Sequence, residues 1–151
     1  MGKGTLSNTI QKVRVVVDTN ILLQAIAHDS RLRPIWKAFL NQIFELYLTA
    51  SILLEYEEIF LQKASETAST LVLTLIDKAP NAHFISVYYN WNAITADAND
   101  NKFFDAAVAA SADYLVTNDG HFNEVKNLSF PKVTILSADE FLQLLEGLPQ
   151  H

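Results

Sequence analysis

The 151-residue chain contains no cysteine, which removes disulfides, thiolate metal sites and thiol nucleophiles at once and fits a reducing compartment. Glycine and proline are scarce, at four residues each, while half of the chain is hydrophobic. Disorder and low complexity are thereby excluded, and one well-buried core is expected. No run approaches the roughly 20 apolar residues that cross a bilayer, and the N-terminus lacks a signal-peptide hydrophobic core, so a cytoplasmic protein without a membrane role is expected. GxGxxG and GxxxxGK[ST] loops are missing, as are a GxSxG elbow and a DxDx[TV] phosphatase motif. The four histidines, His28, His83, His121 and His151, show no HExxH or comparable zinc spacing. Basic residues are few, 11 against 17 acidic ones, for a formal net charge of −6. That balance speaks against a large electrostatic footprint on nucleic acid, unless acidic residues are gathered in one pocket and neutralised by divalent metal.

What is present is organised around Val13-Arg14-Val15-Val16-Val17-Asp18-Thr19-Asn20. The β-branched run over 13–17 reads as a strand buried on both faces, as in the middle of a parallel sheet. Asp18 then lies beyond its carboxyl end, where open α/β sheets bind ligands. Residues 1–12 read as a flexible lead-in, 13–147 as one domain and 148–151 as a tail. Helices are expected over 20–28, 32–43 (opened by Ser30 and Pro34), 52–64 (capped by Ser51), 66–78 and 100–112, with strands at 44–48, 83–88, 114–117 and 133–136. Residues 90–99 read as a loop, Asn118-Asp119-Gly120 as a turn, and Ser137-Ala138-Asp139-Glu140 as the capping box of a last helix. Strands alternating with helices imply βα units: a three-layer α/β/α sandwich around a parallel, Rossmann-like sheet.

Carboxylates fall at strand ends and in first helical turns: Asp18, Glu55, Asp100 and Asp119. On a parallel sheet Asp18 and Asp119 leave the same edge, and the turn carrying Asp100 faces it. Grouped carboxylates repel and raise one another's pKa unless a cation sits among them, and Mg²⁺ or Mn²⁺ suits such hard oxygen ligands. Metal of this kind activates water for attack on phosphorus, so phosphodiester hydrolysis is the indicated chemistry.

Here the residues carry a resemblance. VVVDTNILLQA, SILLEYEEI and DANDNKFFDAAVAASADYLVTNDGHF resemble the motifs of the PIN-domain family, in particular the bacterial PIN proteins of toxin-antitoxin pairs. The resemblance spans about residues 13–142 and is most specific in its last piece. It implies the α/β/α fold, a metal-dependent ribonuclease leaving 5′-phosphate and 3′-hydroxyl ends, an antitoxin partner, and a homodimer or higher homo-oligomer. Carried over by position, the four acids are Asp18, Glu55, Asp100 and Asp119, as catalytic and metal-binding residues. Thr19, Asn20, Thr117 and Asn118 shape the site. Glu57 and Glu58 follow closely on Glu55, which is preferred for its place after Ser-Ile-Leu-Leu.

Each acid also has a structural reading. Asp18 and Asp100 are good N-caps, Glu55 is a solvated helical glutamate, and Asp119 beside Gly120 is an Asx-turn residue. Their joint order and spacing favour the site. Asp97, Asp105 and Asp113 are weaker candidates, Asp105 because it lies about 140° round a helix from Asp100. Lys102 and Asn101 are the nearest candidate RNA contacts, whereas Arg31, Arg33 and Lys37 read as a solvated helix start. Trp36, Phe39, Phe60, Phe103 and Phe104 sit at helical spacing and read as core rather than as a base-stacking platform. A non-catalytic PIN-like binding module and a DNA-directed nuclease are the competing functions.

Overall fold

The computed structural model describes residues 12–149. Most of the expected lead-in and the end of the expected tail lie outside the described residues. Five parallel strands form one sheet in the order β3-β2-β1-β4-β5, with β1 at Arg14–Val17, β2 at Glu45–Leu48, β3 at Ala82–Phe84, β4 at Tyr114–Val116 and β5 at Ile135–Leu136. Seven α-helices accompany them among the described residues: α1 at Thr19–Ile26, α2 at Arg33–Leu40, α3 at Ala50–Lys63, α4 at Glu66–Lys78, α5 at Asn101–Ala109, α6 at Asn123–Lys126 and α7 at Ala138–Glu146.

The central position of β1 follows from its composition. Val15, Val16 and Val17 are completely covered because β1 has a hydrogen-bonded neighbour on each side, β2 and β4, and helices over both faces. Its single charged residue, Arg14, lies at the opposite end from Asp18. There its guanidinium stacks over the Tyr47 ring and donates to the carbonyl of Ala110.

The chain runs from β1 outward through β2 to β3 and then returns to place β4 on the other side of β1. Right-handed crossovers in opposite directions put α1 to α4 on one face of the sheet and α5 on the other. Packing agrees: α1 meets α2 and α3, α3 meets α4, α2 meets α7, and α5 lies on β1, β2 and β4. The fold is the expected α/β/α sandwich. Its strand order reverses between β1 and β4, so a crevice opens at their carboxyl ends.

Several boundaries differ from the sequence reading. Thr49, not Ser51, caps α3, its hydroxyl accepting from Ile52 N at 3.1 Å; Thr49 ends the strand in extended conformation, as an N-cap must. The third strand stops at Phe84 rather than Tyr88 because β2, its only neighbour among the described residues, ends at Leu48. The last strand is shortened to Ile135–Leu136, the length over which β4 pairs with it. Asn118-Asp119-Gly120 is not a free turn: Asp119 caps a 3₁₀ turn over Gly120–Phe122 that continues into the short α6. The helix at 66–78 and the Ser137–Glu140 capping box are as expected.

Trp36, Phe39, Phe60, Phe103 and Phe104 are all buried. On the α2–α7 side Phe44 stacks edge-on to Phe141, ring centroids 5.2 Å apart, and packs 6.1 Å from Phe39. Phe44→Ala should therefore destabilise the protein by about 3–5 kcal/mol. Urea unfolding is expected to show a lowered midpoint with an unchanged slope.

Candidate active site

The crevice at the switch between β1 and β4 collects the expected acids. Val17 pairs with Val116, so the next residues, Asp18 and Thr117, emerge side by side. The Thr117 hydroxyl donates to Asp18 Oδ2 at 2.7 Å and accepts from the Asp119 amide at 3.0 Å. Thr117 thus fixes two of the acids at once. Although Asp18 occupies the N-cap position of α1, its side chain makes no capping bond; the carboxylate is turned to Thr117 instead.

Glu55, on α3, is held from both sides. Thr19 Oγ1 donates to Oε2 at 2.5 Å and Lys102 Nζ pairs with Oε1 at 2.6 Å. Neighbouring Tyr56 is fully buried and donates to the Val17 carbonyl at 2.6 Å, which ties α3 to the strand end that carries Asp18. Burial beside Asp18 and Glu55 pushes the Tyr56 phenol far above its ordinary pKa, so it remains a donor. Glu57 and Glu58 are exposed.

Asp100 lies at the entrance to α5 and makes no capping bond there; Asp97 caps the preceding turn through Asn99 N. Asp100 Oδ2 is 3.0 Å from His121 Nδ1, which lies 3.4 Å from Asp119 Oδ1. Ligating atoms of Asp97, Asp100 and His121 lie within 4.8 Å of one another. Sequence spacing alone set His121 aside, because it belongs to no zinc motif. Its position two residues beyond Asp119 was the available signal: the turn capped by Asp119 folds His121 back over the acids.

The remaining candidates separate. Asn20 is exposed. Asn118 Oδ1 accepts from the Ala138 amide at 2.9 Å and so anchors the start of α7. Both amide atoms of Asn101 bond the backbone of Ile94, at 2.9 and 3.0 Å, holding the 85–96 segment rather than facing outward. Asp105 does not join the acids, in keeping with its angular offset on α5; it is buried and accepts from the Trp91 amide at 3.1 Å.

Crowding has an electrostatic signature. Asp18 is pushed up to about 6, chiefly by burial and further by Asp100, Asp119 and Glu55, against the opposing Thr117 bond. Asp100 is raised by burial and by Asp119 and Asp97, with His121 opposing. His121 is itself raised, first by its bond to Asp100. Oxygen-rich donors under mutual repulsion fit a hard divalent cation.

The direction of the Asp18 shift fixes a stability profile. Below its ordinary value of 3.8 the group is protonated folded or unfolded and contributes no difference. As pH rises toward 6 the unfolded chain ionises first, and above that the fold carries a buried charge costing roughly 3 kcal/mol. Asp18→Asn should therefore raise the thermal midpoint in EDTA at pH 7.5, and the gain should vanish near pH 4. Differential scanning calorimetry across that range checks it; an equal midpoint at both pH values would contradict the buried-charge account.

A family model described as "PIN domain" matches residues 14–121. No curated protein sequence matches the chain. Among solved structures, the fold is similar to a chain of VapBC2 from Rickettsia felis, in a complex with a DNA fragment from their promoter, at a TM-score of 0.57 and 15% identity over 83% of this chain and 98% of that one. It is also similar to the PIN domain endonuclease Utp24, at a TM-score of 0.51 and 14% identity over 82% and 84% of the two chains. The family match runs from the first residue of β1 through Asp18, Glu55, Asp100 and Asp119 to His121, and the chain belongs to the PIN-domain family.

Proposed function

We propose that the protein is a metal-dependent endoribonuclease whose catalytic and metal-binding residues are Asp18, Glu55, Asp100 and Asp119, and that it is the toxin of a toxin-antitoxin pair. The observation that carries the reading is the convergence of buried Asp18 and Asp100 with half-buried Glu55 and Asp119 at the β1/β4 switch. Uncompensated, such a cluster weakens the fold; a cation relieves it. The similarity to VapBC2 and to Utp24 supports a nuclease and an antitoxin partner.

Asp18, Glu55, Asp100 and Asp119 would hold Mg²⁺ or Mn²⁺, which supplies positive charge at the phosphate and activates water for attack on phosphorus. The protein's own groups prepare that arrangement. Thr117 keeps Asp18 and Asp119 in register, Thr19 and Lys102 fix both oxygens of Glu55, and His121 orients Asp100. Attack at phosphorus breaks the bond to the 3′-oxygen and leaves a 5′-phosphate and a 3′-hydroxyl. The working unit is residues 13–147, in the cytoplasm, as a homodimer or higher homo-oligomer.

Labelled single-stranded RNA should be cut with Mn²⁺ or Mg²⁺ and left intact in EDTA, and Asp18→Asn and Asp100→Asn should each lower the rate at least a hundredfold. Divalent metal should raise the melting temperature of the wild type far more than that of Asp18→Asn. Binding without cleavage under every metal would favour a non-catalytic module, and cleavage of DNA in preference to RNA a DNA-directed nuclease.

A further inference from the structure

Beside the acidic crevice lies a groove of about 410 Å³ between the start of α3, the segment after β3 and the first turns of α5. Lys102 stands between the two, lining the groove while its Nζ reaches Glu55. The far wall carries Asp105, a carboxylate only 5% exposed. The Trp91 amide is the single donor the described residues offer it, on Oδ1. A carboxylate has room for about four donors, so Asp105 is buried, underused and turned to a cavity. Ser51, Ser86 and Asn90 add small polar groups to the same lining.

The rim is unusual in another way. Tyr88 is 94% exposed, Tyr89 65% and Phe130 77%. Tyr89, Trp91 and Phe130 form an edge-to-face ladder with centroids 4.7 and 5.7 Å apart. Asn90, in the groove, lies between Tyr89 and Trp91 in the chain, and the Trp91 amide bonds Asp105, so the segment that carries the ladder also forms a wall of the groove. Exposed aromatics beside a polar cavity suit bases, which stack on rings and present hydrogen-bonding edges.

We propose that this groove is a base-selecting subsite of the nuclease, in which Asp105 reads the edge of a guanine next to the scissile phosphate while the following base stacks on the Tyr89–Trp91–Phe130 ladder. The substrate class rests on the endoribonuclease reading; the choice of base rests on Asp105. Guanine alone among the four bases turns two adjacent N–H donors, N1 and N2, toward a carboxylate. Adenine and cytosine set one amine beside a ring nitrogen lone pair, and uracil flanks its single N–H with two carbonyls. A buried carboxylate attracts the first edge and repels parts of the others. The same charge repels phosphate, so a base rather than the backbone enters the groove.

Binding is measured by fluorescence anisotropy in EDTA, so that cleavage plays no part, with an oligouridylate and with the same strand carrying one guanosine or one inosine. Wild type should bind the guanosine strand at least tenfold more tightly than oligouridylate, with inosine, lacking N2, in between. Asp105→Asn, whose amide oxygen can still accept from Trp91 N, should bring the ratio near one. Tyr89→Ala should weaken both strands several-fold, with the thermal midpoint confirming that each variant folds. Equal binding of the strands by wild type, or a guanosine preference that survives Asp105→Asn, overturns the subsite. Binding indifferent to Tyr89→Ala overturns the stacking ladder and leaves those rings to a protein partner. Guanosine-selective binding without metal-dependent cutting would retain the subsite and reject the nuclease, so the two readings fail separately.

Discussion

The end of β1 is the constraint on which the rest depends. A strand buried on both faces delivers its next residue into a region with little water, and that residue is Asp18. Its carboxylate cannot be solvated by the bulk: a hydroxyl from Thr117 is its one compensating bond, and burial, with Asp100, Asp119 and Glu55 adding to it, raises its pKa to about 6. An arrangement that opposes ionisation at neutral pH is stable only because the remaining core carries it. Val15 to Val17, Phe44, Phe141 and the fully covered rings of α5 form that core.

Around this end the structure repeats one device, a polar group that serves two elements at once. Tyr56 ties α3 to the carbonyl of Val17; Thr117 ties Asp18 to the turn carrying Asp119; Lys102 on α5 reaches across to Glu55 on α3. The two helices approach the crevice from opposite faces of the sheet, and a buried or half-buried hydrogen bond of this kind is lost at a penalty of about 1–3 kcal/mol when one partner is removed. Geometry at the acids is therefore set by second contacts rather than by the acids themselves, which repel one another.

Much of this was legible in the sequence, and the limits have physical causes. Four valines followed by an acid identify a central strand and its crevice, because nothing else buries such a run and ends it in a charge. Ser137 with Glu140 identifies a helix start, since both halves of the box lie within three residues. Thr49 and Ser51 are equally good caps by type, and only the length of β2 decides between them. The 83–88 stretch alternates like a strand, yet strand structure needs a partner, and β2 offers none past Leu48. His121 matched no zinc motif because its partners, Asp100 and Asp119, are assembled by a 3₁₀ turn and a helix entrance rather than by spacing on one element. The separation of Asp105 from the acids, by contrast, followed directly from helical geometry.

The net charge of −6 raises the question of how such a protein could hold a polyanion. The cation that reaches the acids, Lys102, is committed to Glu55, while Arg31 pairs with Asp139 and Arg14 lies at the opposite end of the sheet from Asp18. Counterion release by lysine and arginine, the usual source of affinity for nucleic acid, is therefore a weak contributor here. Two other sources remain compatible with the surface. Divalent charge at the crevice offsets the carboxylates and the scissile phosphate together, and exposed rings take bases by stacking, which does not depend on the sign of the protein's charge. A chain that binds in this manner gains little from double-stranded substrate, whose bases are already stacked and whose phosphates would meet an acidic surface. Its affinity should also fall less steeply with salt than that of a basic nucleic-acid-binding domain, because fewer counterions are displaced.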